Sequence, residues 1–283
     1  MNKKYKRVFS INLQPGYRNY TVKDLQDLKG KKKLTQILVS NASEASAAEE
    51  AGIDLILAKP DENVPLIRKA ASKTFMTVAI PFIKYSSKEK IVKKALELVE
   101  LGADSIHCGS WNLNFMKYLN EFKIPFQGHA GLVPRRSTWI GGVRAFGKNS
   151  SEALKLLNDI KDIEDTGAWG VEVECVPEDI LGEITKETKL LTLSIGSGKR
   201  SDVQFLFAED ILGCSSIDTP RHAKMYANFN KLNAEIQKER IKAFKKFASE
   251  VKNGTFPSKK HSIPIENKEL NNFKKLLRSK KYN

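Results

Sequence analysis

Residues 170–178, GVEVECVPE, place two carboxylates in a run that otherwise has the composition of a buried β-strand. Side chains two positions apart in a strand point to the same side, so Glu172 and Glu174 share one face. A carboxylate on such a face is costly unless it is hydrogen-bonded, paired or bound to a metal ion. The pattern therefore indicates chemistry at one or both of these glutamates.

The elements that must position these glutamates follow a repeating order of short apolar runs and helical segments. Helical patterns lie between most of the apolar runs, which predicts a parallel α/β sheet. Eight such units favour a closed (β/α)8 TIM barrel, and no glycine fingerprint of a dinucleotide-binding fold opens the first unit. The eight predicted strands are 35–40, 54–58, 76–82, 104–109, 125–131, 170–176, 190–196 and 203–208.

Additional C-terminal helices are predicted after the eighth strand. The pattern over 219–252 predicts two long helices, TPRHAKMYANF and NAEIQKERIKAFKKFASEV, and a lysine-rich helix begins near Asn267. We expect three regions along the chain: an N-terminal arm (1–20), the barrel with its C-terminal helices (21–263) and a basic tail (264–283).

The composition is that of a folded protein with a large core. The chain has 283 residues, of which 41% are hydrophobic. No run approaches the roughly 18 apolar residues of a membrane helix, and the N-terminus lacks the apolar segment of a secretory signal. Cys108, Cys175 and Cys214 are too few and too scattered for a disulfide framework or a zinc knuckle. We expect a reducing, cytoplasmic setting without a membrane.

The net charge of +15 belongs to the two ends of the chain. Residues 1–33 carry a surplus of eight basic residues and residues 238–283 a surplus of ten, whereas the stretch between them is slightly acidic. A nucleic-acid module more often shows basic residues interleaved with aromatic residues on a folded face. The distribution is typical of solvated, lysine-rich surface, and we expect no nucleic-acid partner.

Catalytic groups of such a barrel sit at the C-terminal ends of its strands. Among the groups found there, His107, His129 and Glu174 are the titratable ones that we expect to converge. A carboxylate whose pKa is raised by burial can abstract a proton α to a carbonyl while a histidine or lysine stabilises the enolate. The strand-end candidates are Ser40 and Asn41, Lys59 to Asp61, Pro81 and Phe82, His107 and Cys108, His129, Glu172 and Glu174, and Ser194 and Ser197.

Each candidate also has a structural interpretation. His107 is as consistent with a hydrogen-bonded structural histidine as with a functional one, and Glu172 can equally cap a turn. Arg135 and Arg136 can grip a carboxylate or phosphate through paired hydrogen bonds, although one of two adjacent loop residues usually faces solvent. For Glu174 we favour the functional interpretation, because a structural role would require a buried hydrogen-bond or ion-pair partner and its apolar strand offers none nearby.

Several motifs, in this order, resemble one known family. They are GHAGLVP, ECVP, SIGSG and NGTFP, within a match that runs from about residue 20 to residue 263. The chain resembles the ketopantoate hydroxymethyltransferases (3-methyl-2-oxobutanoate hydroxymethyltransferases) of the phosphoenolpyruvate mutase/isocitrate lyase superfamily. Each motif alone is weak, but together they are specific.

The resemblance implies a transferase of pantothenate biosynthesis that acts on a small α-keto acid. It implies a (β/α)8 barrel in a homo-oligomer, typically a decamer. In the family, Mg²⁺ binds the keto acid and promotes its enolisation, and 5,10-methylenetetrahydrofolate supplies a one-carbon unit. Glu174 matches the family's general base, and His129 matches the histidine of its GHxGL motif.

The chain departs from the family at the metal positions. The family reads GDS at the end of the second strand, with its aspartate on the metal, and this chain has Pro60 there. The family's third-strand aspartate is Ala79, and its fourth-strand Lys-x-Glu becomes His107-Cys108-Gly109. Proline, alanine and glycine side chains offer no oxygen ligand, so the departures argue against Mg²⁺ and predict no metal site. The first strand's Tyr-Asp is replaced by Ser40 and Asn41.

Two functions of different classes are consistent with this pattern. The first is a hydroxymethyltransferase-like enzyme, or a metal-independent lyase or aldolase of the same superfamily, in which a cationic side chain replaces Mg²⁺. The second is a non-catalytic binding paralogue that kept the fold. For the enzyme we predict Glu174 and His129 as catalytic residues, and as substrate-binding residues Ser40, Lys59, Asp61, His107 and Arg135.

Overall fold

Ten strands and eleven α-helices are present in the described residues of the computed structural model, which are 5–10, 13–80, 85, 87–109, 112–215 and 220–279. The predicted strand-end residues Pro81 and Phe82 lie outside this range. The strands are β1 Lys6–Phe9, β2 Pro15–Arg18, β3 Leu34–Val39, β4 Leu55–Ala58, β5 Phe75–Ala79, β6 Ser105–His107, β7 Phe126–Gly131, β8 Gly170–Glu174, β9 Leu191–Ile195 and β10 Val203–Phe207. The helices are α1 Val22–Leu28, α2 Ala42–Glu50, α3 Val64–Ala70, α4 Lys88–Glu100, α5 Leu113–Glu121, α6 Ser137–Ile140, α7 Ser150–Asp165, α8 Glu178–Glu187, α9 Ala208–Leu212, α10 Phe229–Lys252 and α11 Asn267–Ser279.

Strands β3 to β10 form a closed barrel in which every neighbouring pair is parallel. Around the barrel the strands follow chain order, and β10 pairs with both β9 and β3 to close it. The predicted (β/α)8 barrel with additional C-terminal helices is confirmed. Because the strands are parallel, the ends of β6, β7 and β8 meet at one mouth.

Polar N-caps start the helices that follow the strands. Asn41, Ser87 and Asn149 each accept a hydrogen bond from the backbone N–H three residues later, which satisfies a donor that the first turn leaves free. Helix α7 then packs on β7, where Ile163 lies so close to Gly128 that a Cβ there would meet it at 2.6 Å. This packing positions the strand that carries His129.

Three aspartates tie the strands together at the N-terminal end of the barrel. Asp54, Asp104 and Asp202 each precede a strand and accept a hydrogen bond from a backbone N–H of a neighbouring strand. Polar contacts at this end of a (β/α)8 barrel contribute to stability, since the chemistry takes place at the opposite end. The three donors are the N–H groups of Thr35, Met76 and Thr192, at 3.0, 2.9 and 3.0 Å respectively.

An apolar cluster fills the same end of the barrel. It is built largely from the first residues of the strands, so the polar side chains near the strand ends face the opposite mouth. Its buried members are Leu25, Leu34, Leu55, Phe75, Trp169, Leu191, Leu193 and Val203.

The chain divides into two compact units, residues 1–227 and residues 228–283. The first holds the barrel and also an antiparallel β1–β2 hairpin within the predicted N-terminal arm. The second holds α10, a 3₁₀ turn Lys259–His261 and α11. The predicted boundaries after residues 20 and 263 stay predictions. In the described part of the chain, no helix is long and apolar enough to cross a membrane.

The helix predicted over 219–229 is wrong. The described residues 220–228 are irregular, with one turn at 221–222, and α10 begins only at Phe229, behind the N-cap Asn228. The backbone N–H groups of Tyr226 and Ala227 both donate to the carbonyl of Ile211, at 2.9 and 3.2 Å, instead of to a preceding helical turn. A tertiary contact with the end of α9 therefore replaces the helical hydrogen bonds.

Candidate active site

Four ionisable side chains lie near the C-terminal ends of three adjacent strands. His107 is the last residue of β6, His129 lies in β7, and Glu172 and Glu174 lie in β8. In the pairing of β7 with β8, His129 is opposite Glu172 and Gly131 is opposite Glu174. Residues paired in register share one face of the sheet, which brings the imidazole and the carboxylates together.

The four groups form a continuous chain of close contacts. His107 Nε2 lies 3.0 Å from Glu172 Oε2, and His129 Nε2 lies 3.7 Å from Glu172 Oε1. His129 Nε2 also lies 3.0 Å from Glu174 Oε2, within hydrogen-bond distance. Glu172 thus stands between the two histidines, and His129 stands between the two glutamates.

Burial and charge act in opposite directions on this cluster. Burial by itself lowers the pKa of His129, but the charge of Glu172 and the hydrogen bond and charge of Glu174 outweigh it and raise that pKa. Burial likewise favours a raised pKa of Glu172, but the charges of His129 and His107 lower it. The arrangement therefore favours an ionised Glu172 beside a protonated His129.

Glu172 and Glu174 occupy different environments. Glu172 is buried, whereas the side chain of Glu174 keeps 19% of its surface exposed. A molecule that enters the barrel mouth can therefore reach Glu174. The alternation of the sequence places both carboxylates on one face of β8. It does not show that Glu174 is more accessible than Glu172, because accessibility depends on depth in the barrel.

The backbone around Glu174 is held tightly. Its carbonyl accepts the N–H of Leu132 at 2.8 Å. Ser197 Oγ accepts the N–H of Val176 at 2.9 Å and donates to the carbonyl of Val173 at 2.9 Å. Cys175 has a positive φ of 51°, which is rare for a residue other than glycine and is often found at functional sites. These contacts fix the position from which the Glu174 side chain projects.

Comparison with known proteins identifies the family. The sequence model described as ketopantoate hydroxymethyltransferase matches residues 62–259. A 3-methyl-2-oxobutanoate hydroxymethyltransferase of Kosmotoga olearia is 34% identical over 259 residues, which cover 83% of this chain and 94% of that protein. One of Pyrococcus furiosus is 32% identical over 278 residues, which cover 90% of this chain and 95% of that protein. The chain belongs to the ketopantoate hydroxymethyltransferase family.

Solved structures support the fold of this family member. An oxaloacetate acetylhydrolase with bound oxalate superposes with a TM-score of 0.52 at 9% identity and covers 83% of this chain and 97% of its own. A phosphonopyruvate hydrolase superposes with a TM-score of 0.50 at 12% identity and covers 92% of this chain and 97% of its own. At these identities the likeness concerns the barrel alone.

The remaining predicted site residues lie on other strand ends. Lys59 follows β4 and is exposed, and Asp61 Oδ1 accepts the N–H of Asn63 at 2.9 Å within its own turn. Ser40 follows β3, and Arg135 is exposed in a 3₁₀ turn after β7. The structure thus brings together His107, His129 and Glu174, and substrate binding by the other four stays a prediction.

Two features of the site were missed in the sequence. Glu172, interpreted there as an orienting or turn-capping residue, contacts both histidines. Gln36 and Gln127 are buried strand residues whose side-chain amides find no hydrogen-bond partner among the described residues, and Gln127 is paired in register with His107. The signal was available for Gln127, because it lies two residues before His129 and so on the same face.

The Mg²⁺ site of the family does not fit this chain. Pro60, Ala79 and Gly109 stand at or just after the ends of β4, β5 and β6, where the family has its carboxylate ligands. Mg²⁺ requires oxygen ligands, and these side chains provide none. A different group can hold a metal ion, because His107, His129 and Glu172 each offer one ligand atom within 4.8 Å of the others.

Proposed function

We propose that this member of the ketopantoate hydroxymethyltransferase family is an enzyme that forms a carbon–carbon bond on a small α-keto acid. The bond forms at C3, the carbon next to the keto carbonyl. Its substrate class is that of 3-methyl-2-oxobutanoate, the compound in the names of its relatives. The proposal is carried by one observation, the partly exposed carboxylate of Glu174 at the barrel mouth, 3.0 Å from His129.

Glu174 is the better placed of the two glutamates to act as the base. A general base must come within hydrogen-bond reach of the proton that it removes, and the buried Glu172 is enclosed by two histidines. Glu174 removes the proton from C3 of the keto acid. The electrons of that C–H bond form the C2–C3 double bond, and the carbonyl electrons move to the oxygen to give an enolate.

His129 supplies positive charge next to this reaction. Negative charge develops on the carbonyl oxygen as the proton leaves, and a fixed positive charge lowers the energy of that state. The raised pKa of His129, caused by Glu172 and Glu174 against the effect of burial, keeps this histidine charged to a higher pH. We assign the substrate carboxylate to the predicted binding residues Ser40, Lys59 and Arg135. The carboxylate of Asp61 accepts hydrogen bonds only, so we assign Asp61 to another part of the substrate.

The enolate then needs a one-carbon unit at the oxidation level of formaldehyde. Family membership favours 5,10-methylenetetrahydrofolate as the donor. Its methylene carbon bonds to C3 and both of its carbon–nitrogen bonds break. Water supplies the hydroxyl group, and the two folate nitrogens take up the C3 proton and the second proton of water. A cleft of about 800 Å³ begins at Cys175, next to the base, and includes Lys148, Arg221 and Lys224. Three basic side chains suit the acidic tail of a folate.

We also infer from the family that the enzyme acts as a cytoplasmic homo-oligomer.

Deuterium exchange tests the proton-abstraction step without the folate. The protein is incubated with 3-methyl-2-oxobutanoate in D₂O, and loss of the C3 proton signal is followed by NMR. We expect exchange with the wild-type protein and a rate about 10² to 10⁴ times lower with Glu174→Gln, since a general base contributes about that factor. Glu183→Gln, on the exposed face of α8, is the matched control and should exchange at the wild-type rate.

Two results would count against the proposal. Exchange that continues at the same rate in Glu174→Gln would show that another group removes the proton. No exchange by the wild-type protein, either as purified or with added divalent cations, would instead support the non-catalytic binding paralogue.

A further inference from the structure

We infer that His107, His129 and Glu172 form a site for a divalent transition-metal ion of the zinc class, which replaces the lost Mg²⁺ site of the family. The three residues come from three adjacent strands, β6, β7 and β8, and each offers one ligand atom toward a common point. This inference rests on their geometry and does not depend on Glu174 acting as a base.

The spacing of the ligand atoms fits a small tetrahedral ion. Ligands about 2.1 Å from a tetrahedral ion lie about 3.4 Å from one another. His107 Nε2 is 3.0 Å from Glu172 Oε2, and His129 Nε2 is 3.7 Å from Glu172 Oε1. These separations lie on either side of the tetrahedral value, and one ligand atom of each residue lies within 4.8 Å of the others, so rotation of the side chains has to bring both imidazoles onto a single ion.

The contact between His107 and Glu172 has the distance of a hydrogen bond but not its direction. Although His107 Nε2 and Glu172 Oε2 are 3.0 Å apart, neither buried atom has a hydrogen bond of good geometry within the part of the chain that the structure describes. A buried polar atom without a partner is rare in folded proteins and calls for an explanation such as a bound ion. A metal ion bound by His107, His129 and Glu172 provides one, because it would give both atoms a partner.

The ligand types select the class of metal. Two imidazole nitrogens and one carboxylate form the His₂Glu set used by catalytic zinc sites, and related 2-His-1-carboxylate sets hold other transition metals. Mg²⁺ prefers oxygen ligands and is disfavoured here. The family's ligands stood on β4, β5 and β6, so the proposed site has moved around the barrel toward the base-bearing strand β8.

A three-residue site leaves coordination positions open for other ligands. An open position is what distinguishes a catalytic metal site from a closed structural one. Glu174 Oε2 lies 3.0 Å from His129 Nε2 and is not itself part of the three-ligand group. An ion bound to Nε2 takes the place of the proton on that nitrogen, so in the metal-bound protein the ion, and not a protonated His129, supplies the positive charge beside Glu174. A carbonyl oxygen that occupied an open position would therefore lie beside the carboxylate proposed to act as the base.

The binding test uses untagged, full-length protein stripped of metal with a chelator. Zn²⁺ is titrated by calorimetry, and Co²⁺ is added as a probe because its visible spectrum reports its ligands. We expect one tightly bound ion per chain that excess Mg²⁺ does not displace. The chain has four histidines, so nitrogen NMR of their rings identifies the ligands directly, and we expect shifts at His107 and His129 on adding Zn²⁺.

Variants test each ligand separately. Glu172→Gln and His107→Asn should weaken Zn²⁺ binding at least about 100-fold, since loss of even an outer-shell partner costs roughly 10- to 100-fold. The matched controls His222→Asn and Glu183→Gln should bind as the wild type does. Circular dichroism checks that each variant is folded, and the wild-type NMR experiment needs no variant.

Several outcomes would overturn the site. Absence of stoichiometric Zn²⁺ or Co²⁺ binding would do so, as would shifts confined to His222 and His261. Folded Glu172→Gln and His107→Asn proteins that bind Zn²⁺ with wild-type affinity would exclude these residues as ligands. Preference for Mg²⁺ over Zn²⁺ would contradict the assignment of the metal class.

Discussion

Replacing Gly131 with alanine should disturb the base through the backbone, without touching its side chain. Gly131 ends β7 with a positive φ of 83°, beside the last residue of β8. A Cβ at this position would lie 2.4 Å from the carbonyl oxygen of Glu174 and 2.9 Å from Cγ2 of Val176. Because real Cβ atoms do not approach a backbone oxygen so closely, β8 must shift where it carries Glu174.

The loss of stability expected for Gly131→Ala is the sum of two separate costs. Alanine in the left-handed region costs about 1 kcal/mol net, since a penalty of about 1–2 kcal/mol is partly offset by a stiffer unfolded chain. The overlap with Glu174 adds about 2 kcal/mol, the usual cost of overpacking. We therefore expect Gly131→Ala to lower the free energy of unfolding by about 3 kcal/mol and the Tm by about 9 °C.

Gly141→Ala provides a closely matched control. Gly141 has a φ of 82°, nearly identical to that of Gly131, but no atom of the described residues would lie within 4 Å of a Cβ there. This variant carries only the conformational cost, about 1 kcal/mol and about 3 °C in Tm. The difference between the two variants isolates the close approach to Glu174.

Thermal unfolding by circular dichroism and deuterium exchange of the keto acid measure the two consequences. A displacement of about 1 Å in a catalytic group costs roughly 100-fold in rate, so Gly131→Ala should exchange about 100 times more slowly than the wild type. Gly141→Ala should exchange at the wild-type rate. Equal Tm values and equal exchange rates for the two variants would refute the argument from close packing.

Two further predictions concern contacts that hold the barrel and the base. Burial by itself would raise the pKa of Asp202, but hydrogen bonds from Thr192 and Gly30 and the charge of Lys29 lower it. The ionised Asp202 therefore stabilises the fold above the unfolded-state pKa near 3.8, and this stabilisation is lost as the pH falls through the lower folded-state pKa. Asp202→Asn should lower the free energy of unfolding by about 3 kcal/mol at pH 7. The difference from the wild type should shrink below about pH 4. A deficit in unfolding free energy that stays constant down to pH 2 would contradict this linkage. Ser197→Ala removes the buried hydroxyl that is hydrogen-bonded to the backbone of Val176 and Val173. It should lower the free energy of unfolding by about 2 kcal/mol and slow deuterium exchange of the keto acid several-fold. An unchanged Tm would show that the hydroxyl does not hold the turn.

The barrel could be predicted because its signals are local. Eight short apolar runs recur along the chain with helical segments between most of them, and each predicted strand overlaps an observed one. The β1–β2 hairpin was missed because its strands are four residues each and mostly exposed, so neither shows a buried apolar face. The helix over 219–229 was wrong because its backbone donors bond to Ile211, a tertiary contact that no local pattern reveals.

The residue types of the site could be read from the sequence, but their contacts could not. Alternation places Glu172 and Glu174 on one face, and strand ends bring in His107 and His129. Which glutamate is enclosed and which is accessible depends on strand register and depth in the barrel. The His107–Glu172 contact joins two strands that are not neighbours, so it emerges only from the closed barrel. The absence of the family's metal-binding carboxylates from this sequence argued against a metal site. The fold brings together a different group, His107, His129 and Glu172, that can hold a metal ion.

Chemical rescue tests most directly whether Glu174 is the base that removes the α-proton. Glu174→Ala leaves a space at a partly exposed position that a small carboxylate such as formate can enter. The variant should bind 3-methyl-2-oxobutanoate but exchange its C3 proton slowly, and added formate should restore exchange in a saturable manner without accelerating the wild type. A folded, substrate-binding Glu174→Ala protein that formate does not rescue, or that exchanges at the wild-type rate without it, would contradict the account.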